Sequence, residues 1–192
     1  MRIGVIGPTD LEKLGRLLNQ PLEFLLERAA LVGKLIAGSG AEMWVNGDGG
    51  MLTAVARAYK ENAGNRLVIL YPIRPDPWPI AHTEPYVGLA DTVVRTSTWF
   101  DANYIVVSET DICVCVGLST GTLSEIAYIN WDDMFQTSAL KRLVMLQELM
   151  RLKRLFPEIG LNPDKVRYIA HVEDLVKVLE EVDCNDKEPV PV

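Results

Sequence analysis

The stretch that decides the fold reads DICVCVGLSTGTLSE over residues 111–125. Its first six residues are nearly all apolar, which is typical of a strand that is covered on both faces. The segment 117–122 is rich in glycine, serine and threonine, and 123–129 is predicted to be helical. We therefore predict a buried strand that passes through a glycine-rich turn into a helix.

The same alternation extends along the rest of the chain. Short apolar or β-branched runs predict strands at 2–6, 43–45, 67–70, 91–94, 142–146 and 166–170. Apolar spacing predicts helices at 22–37, 51–59, 99–107 and 173–182, and another from 147 to about 156. Strands joined by helices form parallel sheets. The predicted fold class is α/β: a doubly wound, mostly parallel, Rossmann-like sheet in three α/β/α layers. We expect one domain over residues 1–183 and a loose tail over 184–192.

Composition limits the partners that we expect. No apolar run reaches the ~18 residues that cross a membrane, and the first seven residues are too short for a signal peptide, so we predict a cytoplasmic protein without a membrane partner. The formal net charge is −7, which repels polyanions. We interpret the basic segment that holds Lys141, Arg142, Arg151, Lys153 and Arg154 as the solvated side of a helix, and we expect no nucleic-acid partner.

The cysteines and histidines indicate neither disulfides nor a metal site. Cys113 and Cys115 lie two apart in one apolar strand, so both face the same side, and the total of three cysteines is odd. Buried free thiols in a reducing cytosol are the expected state. His82 and His171 have no companions at metal-ligand spacing, so no metal is expected.

Three turns leave the carboxyl ends of predicted strands, at 7–9, 46–50 and 117–122. Open α/β sheets bind ligands at that edge, and glycine lets backbone N–H groups approach a ligand closely. A helix that begins there adds free N–H groups and the positive end of its dipole. The sequence thus predicts an anion site that needs no lysine, although glycine also serves tight turns without any ligand. The candidate phosphate- or nucleotide-binding residues are Gly7, Pro8, Thr9, Gly47, Asp48, Gly49, Gly50, Gly117, Ser119, Thr120, Gly121 and Thr122.

Neither glycine-rich turn is a standard nucleotide fingerprint. Residues 47–50 do not read G-x-G-x-x-G, and no P-loop lysine follows either turn. A P-loop NTPase and an ordinary NAD dehydrogenase are therefore disfavoured, and no cofactor is expected.

The segment from Gly117 to Glu125 resembles the Pro-Gly-Gly-x-Gly-Thr-x-x-Glu motif of the LONELY GUY family, within the SLOG superfamily of Rossmann-like nucleotide-binding proteins. The Gly-Thr pair at 121–122 and Glu125 match at the right spacing, whereas Val116 and Leu118 replace a proline and a glycine. The turn at 46–51 and the final strand and helix at 166–182 extend the resemblance over most of the chain.

The resemblance implies that the loop ending at Thr122 binds the 5′-phosphate of a nucleoside monophosphate. It also implies that Glu125 acts at the N-glycosidic bond together with an arginine. The position of that arginine is occupied by Ala102, and the nearest arginine is Arg95, a weak substitute. The leading prediction is a nucleotide-phosphate-binding protein without established catalysis. The alternatives are a phosphoribohydrolase and an interaction scaffold with a vestigial pocket. Relatives of this kind form homodimers or higher homo-oligomers, so self-association is expected.

Competing interpretations apply to several of these residues. Thr122 and Glu125 also form the pattern T-x-x-E, in which the threonine caps the helix and the glutamate folds back onto its backbone N–H. Asp48 would repel a phosphate, which makes it a candidate for ribose hydroxyls. Trp78, Tyr86 and Trp99 flank the proline-rich segment, residues 71–86, and either stack on a base or anchor that segment.

We expect little or no hydrolysis of nucleoside monophosphates, because Ala102 has no polar side-chain atom to replace the arginine. Loss of one preorganised charged contact costs ~3 kcal/mol, or roughly a hundredfold in rate. The measurement is release of free base from AMP by wild type and by Glu125→Ala. Robust turnover that disappears in Glu125→Ala would contradict the prediction, and Arg95 would then be tested as the substitute cation.

Overall fold

The computed structural model describes residues 1–76 and 78–185, with side chains up to residue 182. Strands and helices alternate as the sequence predicts. In chain order they are β1 (Arg2–Ile6), α1 (Leu11–Leu18), α2 (Leu22–Gly38), β2 (Glu42–Asn46), α3 (Gly50–Glu61), β3 (Leu67–Pro72), α4 (Glu84–Val87), β4 (Thr92–Thr96), α5 (Trp99–Ser108), β5 (Ile112–Cys115), α6 (Thr120–Phe135), β6 (Arg142–Leu146), β7 (Val166–Ile169) and α7 (Leu175–Asn185). Short 3₁₀ turns lie at 81–83, 147–149, 157–159 and 172–174.

The seven strands form one parallel sheet in the order β4-β3-β2-β1-β5-β6-β7. The first four strands extend to one side, and the chain then returns to place β5 against the free side of β1. Val5 of β1 consequently pairs with Val45 on one side and Val114 on the other. The strand order reverses between β1 and β5, which is the position where open α/β sheets bind ligands.

Helices cover both faces of the sheet, and alternate strand residues face alternate layers. In β5, Ile112 and Val114 pack in the cluster that includes α2, α3 and α7. Cys113 and Cys115 pack with α5 and α6 on the other face, and both are free and buried. The predicted three-layer α/β/α, Rossmann-like fold is confirmed.

The predicted helix from 147 to about 156 does not form. A 3₁₀ turn occupies 147–149, and Lys153 has a left-handed backbone with φ 58°. The Gln147 amide donates to the carbonyl of Lys153, and the Lys153 ammonium donates to the carbonyl of Gln147, each over 2.8 Å. This reciprocal pair closes a turn in place of a helix. The basic residues at 151–154 therefore lie on an irregular segment and not on the side of a helix.

Two helices differ from the predicted pattern. Helix α1 was not predicted; Asp10 begins it by accepting a hydrogen bond from the backbone N–H of Lys13 at 2.9 Å. Helix α6 begins at Thr120 and extends to Phe135, beyond the predicted 123–129.

The carboxyl-terminal prediction is only partly covered by the structure. Helix α7 continues to Asn185, so positions 184 and 185 of the predicted tail are helical, and residues 186–192 lie outside the described residues. Among the described helices, none is both long and apolar enough to span a membrane.

Candidate functional site

A cavity of about 580 Å³ opens where the strand order reverses, at the carboxyl ends of β1, β2 and β5. Its walls come from the turn after β1 with the start of α1, the turn after β2, and the loop after β5 with the start of α6. Trp78, Pro79 and His82 of the proline-rich segment and the start of α5 complete it. All three predicted turns therefore contribute to one cavity.

The start of α6 presents unpaired backbone donors at the cavity. Ser119 caps the helix by accepting a hydrogen bond from the Thr122 N–H at 3.2 Å, and the two hydroxyl oxygens are 3.0 Å apart. The N–H groups of Thr120 and Gly121 have no partner within the helix, because the first turn of any α-helix leaves its donors free. The interpretation of Thr122 as the helix cap is wrong, since Ser119 has that role.

Gly121 differs from the glycines that the fold requires. A Cβ added at Gly50 would lie 2.3 Å from the Thr9 carbonyl oxygen, and both Gly50 and Gly117 have positive φ, at 64° and 127°. At Gly121, by contrast, the nearest heavy atom to an added Cβ is the Ser119 hydroxyl at 3.7 Å, an ordinary contact. Glycine in a helix costs roughly 1 kcal/mol relative to alanine. No steric contact within the fold accounts for glycine at this position.

A lysine lines the cavity although the sequence analysis expected an anion site without one. Lys13 lies in the first turn of α1 and is one of the lining residues. Among the described lining residues, Lys13 and His82 are the basic side chains. Recognition of α1 would have revealed Lys13, and its signal is Asp10 at the cap position followed by leucines at 11, 14 and 18.

A chain of two amides, one buried and one half-buried, holds the carboxylate at the cavity floor. Glu125 is only 4% exposed, and its Oε1 accepts a hydrogen bond from Asn46 Nδ2 at 3.0 Å. The same Nδ2 donates to Asn103 Oδ1 at 2.8 Å, and Asn103 Nδ2 donates to the Ser124 hydroxyl at 3.2 Å. These contacts join β2, α5 and α6 beneath the cavity. Glu125, on α6, is thus hydrogen-bonded to a side chain on strand β2 and does not fold back onto its own helix.

The floor has too few hydrogen-bond donors for its acceptors. Burial raises the pKa of the Glu125 carboxyl well above its usual range, and the negative charge of Asp48 raises it further. None of the described ion pairs includes Glu125. Asn46 Oδ1 is also buried and has no hydrogen-bond partner. Buried polar atoms are normally paired, so a ligand with hydroxyl or N–H groups would complete this floor.

Aromatic rings form the opposite side of the cavity. Trp78 packs against Phe100 with ring centroids 5.0 Å apart, and His82 stacks on Trp99 at 6.0 Å with an interplanar angle of 17°. His82 Nε2 also lies 3.3 Å from Asp48 Oδ1. All four rings line the cavity, which gives it flat apolar surfaces on which a planar ring can stack.

The match to a known family covers most of the chain. The model of the SLOG cluster4 family matches residues 1–155. The chain belongs to the SLOG cluster4 family. The predicted SLOG superfamily is thereby confirmed, whereas the narrower LONELY GUY assignment stays a prediction. No curated protein matches this SLOG protein in sequence.

Solved structures share the fold at low sequence identity. The molybdenum cofactor carrier protein from Chlamydomonas reinhardtii is 21% identical, with a TM-score of 0.66 over 95% of this chain and 98% of its own. The molybdenum cofactor binding protein from the phototrophic bacterium Rippkaea orientalis is 20% identical, with a TM-score of 0.65 over 95% and 96%. DNA processing protein A from Helicobacter pylori, whose structure concerns single-stranded DNA binding, is 15% identical, with a TM-score of 0.61 over 94% and 80%. These likenesses show the SLOG protein's fold.

The prediction that this SLOG protein has no nucleic-acid partner is wrong. The likeness to DNA processing protein A overturns it, because a protein of the same fold binds single-stranded DNA. Net charge describes the whole surface, whereas phosphate contacts need only a local group of cations. A charge of −7 therefore does not exclude nucleic acid.

Most of the predicted binding residues of the SLOG protein line the cavity: Gly7, Pro8, Thr9, Asp48, Ser119, Thr120, Gly121 and Thr122, together with Glu125. Gly47, Gly49, Gly50 and Gly117 are not among the described lining residues and shape the turns behind it. Arg95 is exposed on β4 at the sheet edge and is not part of the described lining either. Ala102 is fully buried in α5. Within the described part of the chain, no cluster of three or more potential metal ligands is present.

Asn46 and Asn103 are site residues that the sequence did not predict. Asn46 is the last residue of β2 and lies in the predicted turn at 46–50, but no feature of the sequence indicated that its side chain is buried. Asn103 follows Ala102, at the position next to the missing arginine. The signal for Asn103 was one polar amide in an otherwise apolar helix segment, Ala102 to Val107.

We expect Glu125→Gln to stabilise the folded SLOG protein at pH 8 by about 1–3 kcal/mol, the usual cost of a buried polar group without a partner, and to have less effect at pH 5. The folded protein keeps the Glu125 proton to a higher pH than the unfolded chain, so wild-type stability is full below the ordinary glutamate pKa and falls as the pH rises toward the folded-state pKa. The glutamine amide can also donate to Asn46 Oδ1.

The measurement is urea unfolding of both proteins at pH 5 and pH 8. Glu61→Gln removes a carboxylate from the exposed end of α3 and is the matched control. A Glu125→Gln effect that is the same at both pH values would contradict the expected protonation of Glu125.

Proposed function

We propose that this cavity binds a small phosphate-bearing nucleotide, of the nucleoside monophosphate type, with its phosphate at the start of α6. The observation that carries the proposal is Gly121, a glycine that no steric contact requires, in the first turn of a helix that points into the cavity. Absence of a side chain there leaves the backbone N–H groups open to close approach by an anion.

Several groups support a phosphate at this position. The free N–H groups of Thr120 and Gly121 and the hydroxyl of Ser119 are donors at the helix end, where the dipole favours an anion. Lys13 supplies a positive charge from α1. Backbone donors together with one lysine are a common arrangement for holding phosphate.

The floor fits the sugar of such a ligand. Helical side chains lean toward the helix N-terminus, so Glu125 and its partner Asn46 lie about one turn from the proposed phosphate. A ribose attached to that phosphate carries hydroxyl donors at this distance. Those hydroxyls would satisfy Asn46 Oδ1, which is buried without a partner, and the acceptor oxygens of Glu125 or Asp48.

The aromatic side fits the heterocycle. Trp78, Trp99 and Phe100 offer apolar faces at the cavity wall, and its volume of about 580 Å³ is ordinary for a small-molecule site. A phosphorylated pterin shares this chemistry of a flat ring and a phosphate. It is the second candidate, because two of the similar structures are described as binding or carrying the molybdenum cofactor.

Binding without established catalysis remains the leading proposal. The phosphoribohydrolase alternative needs an ionised Glu125 and a cation beside the glycosidic bond, but burial raises the pKa of Glu125 and Ala102 supplies no charge. The scaffold alternative gives no reason for an open Gly121 or for a lysine at the cavity. We further propose that the site belongs to one domain over residues 1–183 in a cytoplasmic protein.

We expect Gly121→Ala to lose nucleotide affinity by at least about tenfold, because its methyl group would stand where the phosphate approaches the backbone. The variant should fold, since the added Cβ has room, and should gain up to ~1 kcal/mol of stability. Gly38→Ala is the matched control, because an added Cβ there meets nothing within 4 Å at the far end of α2. Titration calorimetry with AMP, GMP and a pterin phosphate gives the affinities.

Equal affinities for wild type and Gly121→Ala would place the phosphate elsewhere. Mass spectrometry of small molecules released from the purified, denatured protein then identifies the natural ligand. A released compound that lacks phosphate would contradict the proposal directly.

We also propose that the protein self-associates through α6. The exposed stripe of α6 consists of Leu123, Ala127, Trp131, Met134 and Phe135, with Trp131, Met134 and Phe135 each more than half exposed. None of these five side chains is charged. A continuous apolar stripe of this kind is unusual on a monomer, and two copies of one stripe can pack about a two-fold axis.

Trp131→Glu is expected to convert a dimer into a monomer, because burying the carboxylate at the centre of the stripe would desolvate it at a large cost in free energy. Leu26→Glu, at a similarly exposed leucine of α2 on the opposite layer, should remain dimeric. Light scattering during size-exclusion chromatography measures both masses. A wild-type monomer at high micromolar concentration would end this proposal.

A further inference from the structure

A second cavity, of about 360 Å³, lies beside the edge strand β7 and apart from the site described above. The segment that follows the turn at 151–154 folds back along β7 and forms its other wall. The described lining residues are Arg154, Leu155, Phe156, Pro157, Leu161, Pro163, Val166, Arg167 and Tyr168. None of them is shared with the first cavity.

This cavity is locally basic on an acidic protein. Arg154 and Arg167 are exposed, and neither has a carboxylate partner among the described ion pairs. Arg151, three residues before Arg154, adds a third exposed arginine on the same turn. Glu158 and Asp164 lie on the flanking segments but are not among the described lining residues. The lining therefore carries positive charge without a neutralising acid.

Two aromatic rings accompany these arginines. The Tyr168 hydroxyl accepts a hydrogen bond from the backbone N–H of Leu155 at 3.2 Å, which fixes its ring. The guanidinium of Arg154 lies over that ring, 5.4 Å from its centroid, so the charge is held in place by stacking. Phe156 is 62% exposed at the same cavity. An exposed phenylalanine beside the stacked Arg154 offers a flat surface next to a positive charge that is held in place.

We propose that this second cavity, a groove lined by arginines and aromatic rings, binds single-stranded nucleic acid. Cations that follow a phosphate backbone, interleaved with rings on which bases stack, are the features that single-strand binding uses. A duplex does not fit, because its bases are stacked on one another and cannot reach Phe156. The cavity accommodates one nucleotide. Arg151 lies outside the cavity and would contact the phosphate of a neighbouring nucleotide, so a strand binds better than a mononucleotide.

The test is fluorescence anisotropy of a labelled twelve-residue oligo(dT) with the full chain at low salt, followed by a salt series. Arg154→Glu should weaken binding at least about tenfold, and Phe156→Ala about tenfold through loss of base stacking. Arg154→Lys should keep most of the affinity. The slope of log affinity against log salt should fall in magnitude by roughly 0.7 in Arg154→Glu, as expected for one lost phosphate contact on a single strand.

Matched controls separate this groove from general electrostatics and from the first cavity. Arg57→Glu makes the same charge change on the exposed side of α3 and should leave binding unchanged, as should Gly121→Ala. The proposal is overturned if the oligonucleotide does not bind, if Arg57→Glu weakens it as much as Arg154→Glu, or if duplex DNA or dTMP competes as well as unlabelled oligo(dT). Unfolding curves of each variant establish that the affinities refer to folded protein.

Discussion

The pairing of β5 with β1 is the contact on which the rest of the structure depends. Three crossovers first carry the chain from β1 out to β4, and only then does β5 return to the free side of β1, with Val5 opposite Val114. The two strands are parallel, so the loops that follow them leave the same edge but diverge to opposite faces of the sheet. That divergence opens the crevice. Without β5 beside β1, the start of α6 would not lie across the crevice from the start of α1.

The polar side chains at the floor of the crevice are held in place, but not all of their hydrogen-bonding atoms have partners. Asn46, Asn103 and Glu125 are tied together by short hydrogen bonds from three different elements, so each amide is fixed in orientation before any ligand arrives. The same arrangement leaves Asn46 Oδ1 without a donor in a place that water scarcely reaches. Preorganised groups of this kind favour a ligand whose donors match their positions and penalise one whose donors do not. At the proposed site, the floor would therefore contribute to selectivity as well as to affinity.

How much of the structure could be predicted from the sequence depends on which interactions are local in the chain. The strand at 111–116 was predictable because it is a continuous apolar run, and the helix at 22–37 because its apolar residues have helical spacing. The Gly-Thr loop was predictable because its spacing is a motif. The helix that was predicted after β6 does not form, because reciprocal hydrogen bonds between Gln147 and Lys153 close a turn there. Lys13 was missed because the local signal for α1 was overlooked, whereas Asn46 and Asn103 reach the cavity through tertiary packing. No local pattern reports a contact between residues 57 positions apart, such as Asn46 and Asn103.

The way in which the proline-rich segment is attached has a consequence for rates. Trp78 and His82 meet the start of α5 through ring faces, against Phe100 and Trp99, and not through a ladder of backbone hydrogen bonds. Aromatic pairs contribute only about 0.5–1.5 kcal/mol each beyond the area that they bury, so separation of this side of the cavity would leave every strand of the sheet paired. A ligand bound at the proposed site would therefore enter and leave past two aromatic contacts and the pair between His82 Nε2 and Asp48 Oδ1, whereas the lifetime of the folded state depends on the sheet. Its residence time would thus be set by a barrier much lower than that of unfolding.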